Sequence, residues 1–311
     1  MINNNKLTIV MYHYVREIKN SQFPEIKGLE VDGFRRQLSY LQKNFNIITA
    51  EQIIQSVLLN KALPLNSCYL TFDDGYKDHF HYVLPELISR GIQGSFFVPS
   101  AVITEKKILD VNKIHFILAA ASNKLELISD LNSACKELGF SEKDLKEYWV
   151  LYAKSDRFDT AEVMYIKRLL QHVLPQKIRY EITEILFKKY IGISENKFFT
   201  ELYMSKTEIK KLVESGMYVG SHGDKHHWLN TLSIQDQEHD IQLGLDFLKS
   251  IGASVENWIM CYPYGVYNED TLTVLKKKNC AIGLTTTAEL ADFNLHSPLL
   301  LPRFDTNDFP Q

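Results

Sequence analysis

Cysteine is scarce in this chain and follows no ligand pattern. Four residues, Cys68, Cys135, Cys261 and Cys280, are scattered without a CxxC pair. That argues against a zinc knuckle and against a disulfide framework, and the four read as buried thiols. Charge of one sign is also missing. The 35 basic and 38 acidic residues leave a net charge of −3, which argues against a nucleic-acid partner. No apolar run is long enough for a membrane span. The opening stretch, Met1-Ile2-Asn3-Asn4-Asn5-Lys6, lacks the basic start, apolar core and small-residue cleavage site of a signal peptide. A cytoplasmic protein is therefore expected. No fixed-period repeat and no low-complexity segment is found. The remainder is ordinary: 45% hydrophobic and 23% charged residues, as in a soluble globular protein. A length of 311 residues allows one large domain or two small ones.

Against this background one stretch stands out, Leu70-Thr71-Phe72-Asp73-Asp74-Gly75. The apolar run Cys68–Phe72 reads as a buried strand, and it ends in two adjacent acids and a glycine. Burying two carboxylates without partners is costly, so the pair points to a shared cation or a proton-transfer role. Gly75 lets the backbone turn and leaves both acids at the mouth of a cleft. A turn with a helix cap would produce the same Asp-Gly pair.

The chain around it alternates strands and helices. Leu7–Tyr12 reads as a first strand with His13 at its end. Phe34, Leu38, Leu41 and Phe45 recur at helical spacing, and Ala50–Leu59 reads as a further helix. Gly94–Pro99 is a strong strand. From about 102 to 199 strand patterns stop and glycine becomes rare, and helices are expected there instead: Val111–Ala121, Asp130–Leu138, Glu142–Ala153, Thr160–Leu170 and Gln176–Lys189. The strand–helix rhythm then returns, with a capping box at Ser205/Glu208 and strands at Tyr218–Ser221, Trp258–Tyr262 and Ala281–Thr286. Parallel βα units follow from this rhythm. The expected division is a first barrel part over 1–101, a helical insertion over 102–199 and a second barrel part over 200–311.

His222 and His226, three residues apart just after a strand, can converge on one point. With one carboxylate from Asp73 or Asp74 they make a His-His-carboxylate set with open positions. That set suits a catalytic zinc or similar divalent ion. His227 competes with His226 as a ligand, and the three-residue spacing favours His226.

These pieces, in this order, resemble the polysaccharide deacetylases of carbohydrate esterase family 4. The resemblance rests on Thr71-Phe72-Asp73-Asp74-Gly75, Gly94-Ser95-Phe96-Phe97-Val98, Gly220–His226 and Tyr262-Pro263-Tyr264-Gly265. It implies an α/β fold, a distorted and incomplete (β/α) barrel, here carrying a helical insertion. It implies Asp73 as general base and Asp74, His222 and His226 as metal ligands, with Zn2+ expected and Co2+ or Ni2+ as alternatives. The implied reaction removes an N-acetyl group from an amino sugar. A backbone N–H near Tyr264 would help hold the oxyanion.

The chain departs from the family pattern at two motifs. Cys261 stands where the family usually has an arginine that orients the catalytic aspartate, and Arg303 is the expected replacement. The general acid is expected to be His13 and not His296, as in family members that look circularly permuted. Tyr262, Tyr264 and Trp228 are expected to bind substrate, since apolar sugar faces pack on rings. With no leader read, an N-acetylated sugar or glycan precursor for a cell-surface polysaccharide is the expected partner. The alternatives are hydrolysis of a non-sugar amide by the same metal chemistry, and a degenerate barrel that only binds carbohydrate. Oligomeric state is not legible in the sequence.

Overall fold

The computed structural model describes residues 6–311. The chain divides into two compact units. One comprises residues 6–16, Gly28–Lys107 and Phe199–Gln311, and the other Glu17–Lys27 and Ile108–Phe198.

The first unit is built on a curled sheet of nine strands among the described residues. Six of them form its parallel path: β1 (Lys6–Tyr12), β2 (Ser67–Asp73), β3 (Ser95–Val98), β4 (Tyr218–Ser221), β5 (Ile259–Cys261) and β6 (Ile282–Leu284). The order along the sheet follows the sequence, and each neighbouring pair is parallel. Parallel strands need crossovers, and helices supply several of them: Val31–Asn44 and Ala50–Leu59 before β2, and Ile234–Ser250 and Glu269–Lys277 on either side of β5. The C-terminal segment ties the two borders of the path together. Leu301 bridges to Leu284 of β6, and Phe304–Asp305 pairs in parallel with Val10–Met11 of β1.

Side-chain alternation along each strand sorts the core into an inner and an outer set. Leu7, Ile9, Tyr69, Phe97, Tyr218, Ile259, Cys261, Ile282 and Leu284 pack in one cluster. Trp258, Met260 and Tyr262, the alternate residues of the β5 stretch, pack in another with Leu229, Val274 and Leu275 from the helix side. Continuing the inner parity to the C-terminal end of each strand or just beyond gives His13 after Ile9, Asp73 after Tyr69 and His222 after Tyr218. The strands thus aim these three residues at the same end of the sheet.

The second unit is helical. Its helices are Asp110–Ala120, Lys124–Glu137, Glu142–Tyr152, Ala161–Arg168 and Gln176–Ile191, followed by Glu195–Leu202. Lys124–Glu137 starts earlier than expected because Asn123 caps it, accepting from the Leu125 and Glu126 N–H groups. Glu195–Leu202 was not expected from the sequence. Gly192, at φ +69°, ends the helix before it. The unit begins at Ile108 and takes in Glu17–Lys27, whereas the sequence placed the whole insertion within 102–199. Phe23 explains the addition, since its ring packs edge-on to Phe116 and Phe198 at centroid distances of 5.0 and 6.1 Å. Among the described residues no helix is long and apolar enough to cross a membrane.

Candidate metal centre and active site

Asp74 sits where β2 turns out of the sheet. Its backbone is left-handed, at φ +73°, and Gly75 follows at φ +72°. Such a conformation is costly for a residue with a Cβ and persists only when its surroundings impose it. Gly75 is required twice over, because a Cβ there would also meet Val98 Cγ1 at 2.9 Å. The turn leaves Asp74 3% exposed. Its Oδ2 accepts a hydrogen bond from Tyr76. Its Oδ1 has no hydrogen-bond partner among the described residues. Instead, His222 Nε2 lies 3.4 Å away and His226 Nε2 3.5 Å away.

The tautomer of His222 follows from its other nitrogen. Nδ1 is 2.7 Å from the Cys261 carbonyl oxygen, which only accepts, so Nδ1 carries a proton. Burial opposes a second proton on the ring, but Cys261 and the Asp74 carboxylate raise the imidazole well above its ordinary value, so Nε2 is the position for which a cation would compete with a proton. Burial pushes His226 down to about 3, so its ring is neutral. Burial opposes ionisation of Asp74, yet the two imidazoles hold its carboxyl well below the usual range. One carboxylate oxygen of Asp74 and a ring nitrogen each of His222 and His226 thus converge within 4.8 Å of one another in a buried space. Two imidazoles and a carboxylate fit a divalent ion of the zinc type.

The loop carrying the histidines is clamped from behind. Asp240, on helix Ile234–Ser250, is 7% exposed and accepts from the backbone N–H groups of Asp224 (2.9 Å) and Lys225 (3.2 Å). Gly223 makes room for it, since a Cβ there would lie 2.7 Å from Asp240 Oδ1. Ser100 donates to the Asp224 carboxylate. His226 itself adopts φ +55°. His227 is not part of any metal-capable group among the described residues.

Asp73, the last residue of β2, faces the inner side. Arg303 Nη1 lies 3.0 Å from its Oδ1 and 2.9 Å from its Oδ2. Arg303 is fully enclosed; its Nε donates to the Thr285 carbonyl and its Nη1 also reaches Thr71 Oγ1. The seam segment explains this reach, because Leu301 is bridged to β6 and Phe304 is paired with β1. Cys261 Sγ is 3.4 Å from Asp73 Oδ2. Burial opposes the charge on Asp73, but the Arg303 guanidinium together with His222 and His13 lowers the carboxyl below its usual range. His13 Nε2 lies 4.0 Å from Asp73 Oδ2 and its side chain is 39% exposed.

His296 is at the other end of the sheet. It hydrogen-bonds the Asp292 N–H, and Asp292 pairs with Lys6 at the start of β1. Seven residues of strand separate that end from His13, about 20 Å at the usual rise.

Of the three expected aromatic contacts, two stay together. Trp228 and Tyr264 stack at 4.8 Å, and Tyr264 meets the His226 ring edge-on at 4.6 Å. Both are half-buried, and Tyr264 is at φ +57°. Tyr262 does not belong with them and is withdrawn as a substrate contact. Strand parity turns it away from Cys261, its ring is fully buried in the outer cluster, and its hydroxyl donates to the Leu299 carbonyl at 2.7 Å. Tyr12, Tyr14 and Tyr76, at neighbouring motif ends, are core residues too.

The polysaccharide deacetylase family model matches residues 172–282, a stretch holding His222 and His226 but not Asp73 and Asp74. No match is found among curated protein sequences. Solved structures match in fold across nearly the whole chain. A deacetylase from Streptococcus pyogenes, PplD, solved with acetate, aligns with a TM-score of 0.58 at 16% identity over 96% of this chain and 92% of its own. IcaB from Ammonifex degensii aligns with a TM-score of 0.52 at 17% identity, over 96% and 88%. The BpsB deacetylase domain from Bordetella bronchiseptica aligns with a TM-score of 0.55 at 15% identity, over 97% and 96%. By family model and by fold this chain is similar to the polysaccharide deacetylases of carbohydrate esterase family 4, as its motifs led us to expect.

Proposed function

We propose that the protein is a metal-dependent hydrolase that removes an N-acetyl group from an amino sugar, in a surface polysaccharide or its precursor. The observation that carries this is the pairing of Asp73 with Arg303 directly beside the Asp74–His222–His226 cage. A binding protein has no use for a second, arginine-oriented carboxylate next to a complete ligand set. The similarity to deacetylases in family model and fold supports the same reaction class.

Asp74, His222 and His226 would hold the ion. When bound there, a divalent ion polarises a carbonyl oxygen and lowers the pKa of water. The residues of the chain do the rest. Asp73 is kept ionised by Arg303 and takes a proton from the attacking water as the C–O bond forms. His13, whose Nε2 lies 4.0 Å from Asp73 Oδ2, gives a proton to the nitrogen as the C–N bond breaks, so acetate and a free amine leave. Trp228 and Tyr264 offer a stacked aromatic shelf beside His226 for an apolar sugar face. The four free thiols accord with a reducing, cytoplasmic setting, where the substrate would be a carrier-linked precursor.

The test is acetate release from a panel of N-acetylated monosaccharides, nucleotide sugars and short oligosaccharides, with zinc or cobalt supplied and with chelator. Metal-dependent release from a sugar supports the proposal. Release only from non-sugar amides, or tight glycan binding without release, overturns it.

A further inference from the structure

His79 lies outside the metal cage and the base pair, and no step above uses it. It opens a π-helical turn, His79–Val83, and is fully buried. Its ring is wedged among Phe72, Tyr76 and Phe96, at centroid distances of 5.6, 5.5 and 5.8 Å. A histidine is an expensive choice for an aromatic pocket, because it brings two polar nitrogens into it. One of them reaches the chain 66 residues upstream: Nε2 is 2.7 Å from the backbone oxygen of His13.

A carbonyl oxygen only accepts, so Nε2 must be the protonated nitrogen. Nδ1 is then a bare lone pair, and it has no partner among the described residues. Burial pushes the imidazole down to about 4, which keeps it in this neutral form. The ring is thus a rigid post with a single donor, and that donor is spent on His13. The need for it is plain from the strand. β1 ends at Tyr12, so the His13 carbonyl has left the sheet ladder, and its own side chain is the partly exposed group facing Asp73. The next residue is anchored separately: the Tyr14 carbonyl accepts from Leu29 N–H, and the Tyr14 ring stacks on Tyr76 at 4.2 Å.

We propose that His79 is a positioning residue for His13: its Nε2–H fixes the His13 carbonyl so that the His13 imidazole faces Asp73 and can protonate the departing nitrogen. This rests on the deacetylase function proposed above and deepens it. His79 itself touches neither substrate nor metal.

The experiment compares two substrates on the metal-loaded protein. One is the best N-acetyl sugar from the panel, whose amine must be protonated to leave. The other is 4-nitrophenyl acetate, whose phenolate leaves unaided. His79→Leu, which removes the donor, is expected to lower kcat on the amide by about tenfold or more, part of what a general acid supplies. Ester turnover, KM and cobalt affinity stay within about twofold on the same physical ground. His79→Gln keeps an N–H near the position of Nε2 and is expected to recover most of the amide rate; it also serves if the leucine variant does not fold. Equal losses on amide and ester, or full amide activity in a folded His79→Leu protein, would overturn the proposal. A wild-type protein inactive on every amide would instead fault the deacetylase function, and that outcome is read before any variant is made.

Discussion

In the helical unit, Lys113 is 1% exposed and its ammonium lies between Glu184 and Glu195, the latter at 2.7 Å. In the strand unit, Asp74 is almost equally buried, and one of its oxygens faces two imidazole nitrogens with no hydrogen bond made. The two sites pay for buried charge differently. Lys113 is matched by two carboxylates that keep contact with water, which settles its charge inside the fold. Asp74, His222 and His226 leave donor atoms unmatched in a strained turn, and unmatched polar atoms in a native fold call for a partner from outside. Matched buried charge marks architecture; unmatched buried charge marks the site proposed to work. Asp73 lies between the two cases, since Arg303 matches it and still leaves it open to His13.

The sharpest way to break this contrast is to strip the partner from Asp73. Arg303→Leu leaves a buried carboxylate alone, which costs about 3–5 kcal/mol in chemical denaturation. Asp73 is then expected to take up a proton at neutral pH, and turnover falls with it. A second expectation concerns acid. The His79 imidazole is held at about 4 against 6.5 in the open chain, so the unfolded state binds the extra proton between these values. Stability from this group is complete above pH 6.5 and is lost as pH falls toward 4, by about 3 kcal/mol in all. His79→Gln should flatten that part of the stability–pH curve relative to wild type. Asp240→Ala releases the loop between the two histidines and should weaken cobalt binding by about tenfold or more, as loss of an outer partner does, read by titration of the visible cobalt spectrum. Lys113→Met should do least. Its glutamates remain partly solvated, so stability should change by less than about 2 kcal/mol and deacetylation should be unaffected.

The strand unit was largely legible. Apolar runs located β1 to β6, and the capping box at Ser205/Glu208 is present as read. The acid pair and the histidine pair are local signals, each complete within a few residues. Arg303 was legible only because a known pattern lacked its arginine at Cys261, which raised the question of a substitute. Asp240 and His79 gave no signal, because each acts through a main-chain atom of a distant residue and such contacts leave no trace in residue type or spacing. Tyr262 was misplaced because proximity to a motif was allowed to outweigh strand alternation; counting parity from Cys261 would have turned it outward. In the helical unit most helices were visible from periodicity, but nothing in the sequence tied Glu17–Lys27 to it.

The central claim is that Asp73 performs chemistry beside a cage that holds the metal without it. The most direct measurement is cobalt binding and acetate release on the same preparation of Asp73→Asn. We predict one bound cobalt with near-normal affinity and a loss of turnover of about a hundredfold or more, the scale of a missing general base. Acetate release close to wild type in that variant would contradict the account, as would loss of cobalt together with activity, which would make Asp73 a ligand and not the base.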